Sequence, residues 1–68
     1  QSVFIEKALA RLPLGQREAI ILKEFQDMRY EEIAKVLNCS LSNVKILIFR
    51  GRENLRRELK TSGLEELR

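Results

Sequence analysis

Apolar residues recur along the chain every three or four positions, which is the spacing of amphipathic helices. The first such segment begins after Ser2 and ends at Pro13, because proline interrupts helical hydrogen bonding. A second segment, residues 16–26, carries a continuous apolar run at residues 19–22. This run is apolar enough for the second helix to lie at the centre of a bundle.

Two further helical segments follow, with a short turn between them. Residues 30–37 have acidic side chains in their first turn, which suits the positive end of a helix. Asn38 comes next and tolerates the left-handed conformation that often ends a helix. Ser40 can then cap a last helix over residues 41–60. The pattern predicts an all-α fold of four helices with a C-terminal helix-turn-helix, winged-helix-like but without strands.

The last two predicted helices have the residue spacing that a helix-turn-helix requires. Ala34 is small where the two helices must cross closely, and Asn38 takes the turn position. Val44 and Ile48 would then hold the second helix against the first. The positions that define this spacing are Ile33, Ala34, Leu37, Asn38, Val44 and Ile48.

The opposite side of the last helix is predicted to face outward and to enter the major groove of DNA. A step of about 100° per residue turns these positions away from the core. They are Ser42, Asn43, Lys45, Ile46, Phe49, Arg50 and Arg57. The two polar side chains at the start of this face can bond to phosphates or base edges, and Lys45 can reach a purine acceptor. The two arginines lie where phosphates come close.

The charge of the chain is concentrated in the same helix. The formal net charge is only +3, but residues 45–60 hold six basic and two acidic side chains. Residues 61–68 are weakly acidic and are expected to form a frayed tail. A chain of 68 residues forms one domain at most, so residues 1–68 are predicted to be a single domain. Because the sequence starts with Gln1, we expect a fragment of a longer protein.

Composition argues against several functional classes. With one cysteine and no histidine, the chain lacks the usual ligands of a zinc site and cannot form an internal disulfide. Glu31 and Glu32 are adjacent on a helix and do not face each other, so they are a poor acid/base pair. No apolar run has membrane length. We therefore expect no enzyme, no cofactor, no metal, no small-molecule substrate and no membrane association.

Four motifs together resemble region 4 of bacterial sigma factors, and most of all the extracytoplasmic-function group. They are residues 10–13 (Ala-Arg-Leu-Pro), 16–18 (Gln-Arg-Glu), 30–34 (Tyr-Glu-Glu-Ile-Ala), and the Val44-Lys45 pair with residues 50–52. The resemblance covers roughly residues 8–59 and implies binding to the minus-35 element of double-stranded promoter DNA. It also implies contact with the beta flap of the RNA polymerase core, masking by an anti-sigma factor, and a bacterial cytoplasmic location.

The resemblance also implies roles for individual basic residues. Lys45 and Arg50 match residues that such domains use on DNA. Arg52 is a further basic match, and either contacts DNA or pairs with a carboxylate such as Glu32.

The chain departs from the family at two places. Ile46 and Leu47 stand where members usually have a small polar residue and then arginine. Arg29 stands where a serine commonly caps the third helix, so that cap must come from Asp27, from solvent, or be absent. The first departure affects DNA recognition more than the fold.

Several side chains have more than one interpretation. Ile46 is expected to contact thymine methyl groups or a protein partner, against the alternative of an incidental exposed residue. Leu47 is expected to pack at the core boundary, and Phe49 to dock on the first helix rather than remain exposed. The basic run of residues 50–60 is expected to bind phosphates, against a solvated face with a Glu53–Arg57 pair. Cys39 is expected to be a mostly buried apolar residue.

Two other functions fit parts of the pattern. A sigma-like module could serve protein interaction, with Ile46, Leu47 and Phe49 as apolar anchors for an anti-sigma factor. A response-regulator DNA-binding domain shares the helix-turn-helix and often a Val-Lys pair. The Tyr-Glu-Glu start of the third helix argues against the second alternative, which would also favour a dimer over the monomer expected here.

Overall fold

A computed structural model describes residues 3–62 of the chain as four helices joined by short connections. They are α1 (Val3–Ala10), α2 (Leu14–Ile20), α3 (Tyr30–Leu37) and α4 (Leu41–Ser62), and no strand occurs within this range. α1, α2 and α3 all pack against α4, which is the longest helix. The predicted all-α fold with its C-terminal pair of helices is confirmed.

The second helix differs from its prediction in start and in type. It begins at Leu14, directly after Pro13, two residues earlier than expected. At its end it widens into a π-helical turn, Ile21–Phe25, in which the Gln26 N–H donates to the Ile21 carbonyl at 3.1 Å. Asp27 then adopts a left-handed conformation with φ of 56°. Apolar spacing predicts a continuous helix but does not distinguish an α turn from a π turn.

The core lies where α2 and α3 meet α4. Its fully buried large side chains are Ile20, Ile33, Val44 and Ile48, joined by Leu9, Leu12 and Ala19. Gly51 is buried at the closest approach of α2 and α4, where an added Cβ would lie 2.7 Å from Ile20 Cγ1. The backbone of α4 therefore contacts α2 at a point where no side chain fits.

The end of α4 lies slightly beyond its predicted limit. The helix continues through Ser62, whereas the sequence predicted an end near residue 60. The remainder of the predicted frayed tail, residues 63–68, lies outside the described residues.

Candidate nucleic-acid interface

The turn between α3 and α4 has the conformation that the sequence predicts. Asn38 ends α3 with φ of 56° and ψ of 52°, in the left-handed region. The Cys39 N–H then donates to the Ala34 carbonyl at 3.0 Å, which satisfies one of the free carbonyls at the helix end. Cys39 itself is half-buried and packs against the core, so the expected burial is only partial. The turn fixes the direction in which α4 leaves α3.

The first turn of α4 is capped by Ser40. Its Oγ accepts a hydrogen bond from the Asn43 backbone N–H at 3.0 Å, which confirms the predicted cap. Such a cap typically contributes about 1 kcal/mol to helix stability. The start of α4 is therefore ordered by a hydrogen bond within the chain itself.

No side chain caps the first-turn N–H groups of α3, which is one of the outcomes that the sequence left open. Arg29 is the capping residue and has no acceptor to offer from its side chain. Instead, a carboxylate oxygen of Glu32 accepts the Arg29 backbone N–H at 2.9 Å. Glu32 thus supplies only one half of a capping box, because the Arg29 side chain cannot accept a hydrogen bond from the first turn in return.

The inner face of α4 is held as the helix-turn-helix spacing requires. Val44 and Ile48 are buried against Ile33, and Ala34 packs at the edge of this cluster. Leu47 is half-buried and contacts the core, as predicted. With these side chains fixed inward, the opposite face of α4 is presented to solvent.

All the predicted interface residues lie on this exposed side. The set comprises Ser42, Asn43, Lys45, Ile46, Arg50, Arg52 and Arg57. Within residues 3–62, neither Lys45 nor Arg50 forms an ion pair or a side-chain hydrogen bond. Their charges are therefore available to an external anion.

Phe49 does not dock on the first helix, and that prediction is wrong. Its side chain is 67% exposed, on the same side of α4 as Ile46, which is 47% exposed. α1 packs beside the C-terminal half of α4, where Ile5 shares a cavity with Leu55 and Leu59, and it leaves Phe49 uncovered. The interface thus contains two neighbouring apolar side chains.

Arg52 is paired, but with a different carboxylate from the one suggested by the sequence. Its Nε and Nη2 donate to one oxygen of Glu24, at 2.9 and 2.6 Å, rather than to Glu32. The hydrogen bond to Glu24 raises the pKa of the Arg52 guanidinium above its ordinary value. This contact ties α4 to the π-helical turn and leaves Arg52 less available than Arg50.

Other basic residues of the C-terminal half of α4 also have partners. Arg56 lies 3.1 Å from a Glu53 carboxylate oxygen, and Arg57 donates to the Asn54 side-chain oxygen at 3.0 Å. The Glu53–Arg57 pair of the alternative interpretation is not formed, and two contacts between residues three positions apart are found instead. Several cations of the basic run, residues 50–60, therefore already have partners within the domain.

Two cations next to the interface were missed by the sequence analysis. Lys23 and Arg29 line a surface cavity together with Lys45 and Tyr30, and the acidic Glu31 lines it as well. The Lys23 ammonium lies 4.9 Å from the centre of the Tyr30 ring. These residues come from separate elements, so no spacing along the chain could have linked them to Lys45. They extend the positive surface from α4 to the start of α3.

A second cavity of similar volume lies away from this surface, between α1, the π-helical turn and the C-terminal half of α4. Its volume is about 390 Å³, and most of its lining is apolar. The apolar side chains are Ile5, Ile20, Phe25, Leu55 and Leu59, while Arg52 and Glu24 lie at its polar side.

These features define a class of protein. Within residues 3–62 there is no cluster of residues able to hold a metal ion, and none of the described helices is long and apolar enough to cross a membrane. An all-helical domain with a left-handed turn, a capped recognition helix and a cationic outer face is a helix-turn-helix DNA-binding domain.

Comparison with known proteins identifies the family. The sigma-70 region 4 family model matches residues 5–55. RNA polymerase sigma factor YlaC of Bacillus subtilis is 36% identical over 66 residues, which cover 97% of this chain and 38% of that protein. RNA polymerase sigma-H factor of Pseudomonas aeruginosa is 36% identical over 56 residues, covering 82% of this chain and 29% of the relative. The ECF RNA polymerase sigma-E factor of Escherichia coli is 40% identical over 47 residues, which cover 69% of this chain and 25% of that protein.

The chain belongs to the sigma-70 region 4 family, and the sigma factors it matches include extracytoplasmic-function members. Region 4 is the non-enzymatic part of a sigma factor that binds the minus-35 promoter element in transcription initiation. The chain spans less than two fifths of the length of these relatives. The family match decides against the response-regulator interpretation.

Proposed function

We propose that this domain binds double-stranded DNA at a minus-35 promoter element, with the N-terminal half of α4, residues 41–50, in the major groove. The observation that carries this proposal is the contrast between the two sides of that half. Val44 and Ile48 are locked into the core, whereas Lys45 and Arg50 are exposed and have no anionic partner among residues 3–62. A helix that is held rigidly by the core and carries unpaired cations on its outer face is suited to bind the phosphates of DNA.

The proposed contacts divide into positioning and recognition. Lys45 and Arg50 neutralise phosphates or reach purine acceptors, and Lys23 and Arg29 extend the phosphate contact beside them. Ser42, Asn43 and Ile46 lie at the start of α4, where they approach base edges. Arg57 and Arg52 contribute at the periphery, since each already has a partner within the domain.

A second surface is proposed for the RNA polymerase core. The apolar cavity between α1, the π-helical turn and α4 is suited to an apolar segment of the polymerase beta flap. Phe25 lines this cavity with 40% of its surface exposed, and Leu55 and Leu59 lie across from it. Because these residues are not on the outer face of residues 41–50, DNA and polymerase can be bound together.

The domain is proposed to act as one part of a longer sigma factor in the bacterial cytoplasm. Residues 1–68 would form the single region 4 domain of that protein, and the longer protein would direct transcription initiation by the polymerase. An anti-sigma factor would inhibit it by covering either the DNA-binding face or the apolar cavity.

Selective DNA binding tests the central part of this proposal. Fluorescence anisotropy would compare duplexes selected from a minus-35-like library with scrambled duplexes, at two salt concentrations. Selective binding that weakens with salt is expected, and Lys45→Ala should lower the slope of log K against log salt by about 0.9. Lys7→Ala is the matched control, because Lys7 is an exposed lysine on α1. Equal binding to selected and scrambled duplexes would contradict the proposal.

The polymerase surface is tested separately. Phe25→Asp places a charge at the edge of the apolar cavity and should weaken binding of the isolated beta flap segment at least tenfold, while DNA binding changes little. Val36→Asp is the control, since Val36 is 59% exposed on α3 and does not line that cavity. An equal effect of both substitutions on flap binding would remove the cavity from the proposal.

A further inference from the structure

We propose that Ile46, with Phe49 beside it, recognises the C5 methyl group of thymine. This inference rests on the proposed DNA-binding function. The two side chains are three positions apart, so they are neighbours on the helix surface. Ile46 is 47% exposed and Phe49 is 67% exposed. Together they form a small apolar patch on the outer face of α4.

Cations lie on both sides of this patch. A step of about 100° per residue places Lys45 on one side of the pair and Arg50 on the other. Both are exposed and free of ion pairs within the described part of the chain. This order of charge, apolar surface and charge matches a major groove, in which base edges lie between two rows of phosphates.

The chemistry of base edges identifies the ligand. In the major groove, thymine is the base that presents an apolar group, the C5 methyl, whereas the other bases present donors and acceptors. Ile46 has no hydrogen-bonding atom, so it gains from a methyl group and offers nothing to a polar edge. It lies almost opposite Val44 and Ile48 on the helix, so it points furthest from the core.

A protein partner fits the same patch less well. A standard protein interface buries about 800 Å² on each partner, which is far more than two side chains provide. Lys45 and Arg50 would also lose water in such an interface unless the partner supplied carboxylates. The free cations therefore favour DNA as the occupant.

Removal of single methyl groups tests the proposal. In a duplex that the domain binds selectively, each thymine is replaced in turn by deoxyuridine, which lacks only the C5 methyl. We expect affinity to fall about fourfold at one or two positions, from the loss of one buried methyl. Ile46→Ala should bind the thymine and deoxyuridine duplexes equally at such a position. Val36→Ala, which shortens an exposed aliphatic side chain on α3, should keep the full difference.

The outcomes separate this proposal from the proposed function. If binding is selective but no deoxyuridine substitution weakens it, methyl recognition is wrong and DNA binding stands. If Ile46→Ala binds every duplex as the unsubstituted chain does, the Ile46 side chain does not contact a base and the proposal is wrong. If no duplex is bound selectively, both proposals fail. Circular dichroism of Ile46→Ala should show an unchanged fold, because the side chain is outside the core.

Discussion

The two halves of α4 differ both in composition and in what their cations contact, since residues 41–50 hold two charged and six apolar side chains and residues 51–62 hold six charged and two apolar ones. In residues 41–50, Lys45 and Arg50 have no anionic partner within the described range. In residues 51–62, Arg52 contacts Glu24 at 2.6 Å and Arg56 contacts Glu53 at 3.1 Å. The two cations of the first half are therefore open to a ligand, whereas Arg52 and Arg56 of the second half already have anionic partners within the domain.

This difference shows that the availability of a cation matters more than its presence in a basic run. A cation that is already paired gains less from a phosphate, because its existing contact must be lost or shared. The net positive charge of residues 45–60 is therefore larger than the charge that is free to bind DNA.

The largest expected effect concerns Gly51, where the second half of α4 meets α2. Gly51→Ala should lower the free energy of unfolding by up to about 2 kcal/mol, because overpacking against buried Ile20 exceeds the gain in helix propensity. Gly15→Ala is the matched control, since its Cβ would lie 3.4 Å from the end of Leu47. It should stabilise the domain by about 0.5–1 kcal/mol in urea denaturation. Stabilisation by both substitutions would show that the close approach is not a constraint.

The second effect compares an arginine from each half. Arg50→Ala should weaken binding to a selected duplex about tenfold, because it removes a free cation from the interface. Arg57→Ala should weaken it only about twofold, since Arg57 already donates to Asn54. Anisotropy titrations at one salt concentration would measure both. Equal losses of DNA affinity in the two variants would mean that the contact with Asn54 does not reduce the binding of Arg57 to DNA.

The smallest effect concerns the partner of Arg52. Glu24→Gln removes an exposed ion pair, so the free energy of unfolding should change by less than about 1 kcal/mol. DNA affinity should rise about twofold, because Arg52 is released toward the phosphates. Glu18→Gln is the control for loss of a negative charge alone, since Glu18 is exposed and has no ion pair among residues 3–62. A rise of the same size in both variants would indicate a general charge effect.

Local signals in the sequence predicted the helix-turn-helix accurately. The bounds of α3, the left-handed Asn38 and the Ser40 cap all depend on interactions within a few residues. Val44 and Ile48 were assigned to the core because helical periodicity determines which side chains share a face.

Contacts between distant residues were not predictable in the same way. The Arg52 partner lies 28 positions away, and nothing in the spacing favours Glu24 over Glu32. The π-helical turn and the left-handed Asp27 have no distinct apolar pattern. Phe49 was assigned to a covered site on the rule that large aromatic side chains are usually buried, and that rule fails where a residue faces a proposed ligand.

The most direct test of the central claim is an NMR titration of the ¹⁵N-labelled domain with a selected minus-35-like duplex. Amide shifts should be concentrated in residues 41–50 and beside Arg29, while residues 51–62 change little. A scrambled duplex should give smaller shifts that disappear as salt is raised. Shifts concentrated instead around Phe25 and Leu59, with residues 41–50 unchanged, would contradict the claim that the first half of α4 is the DNA-binding surface.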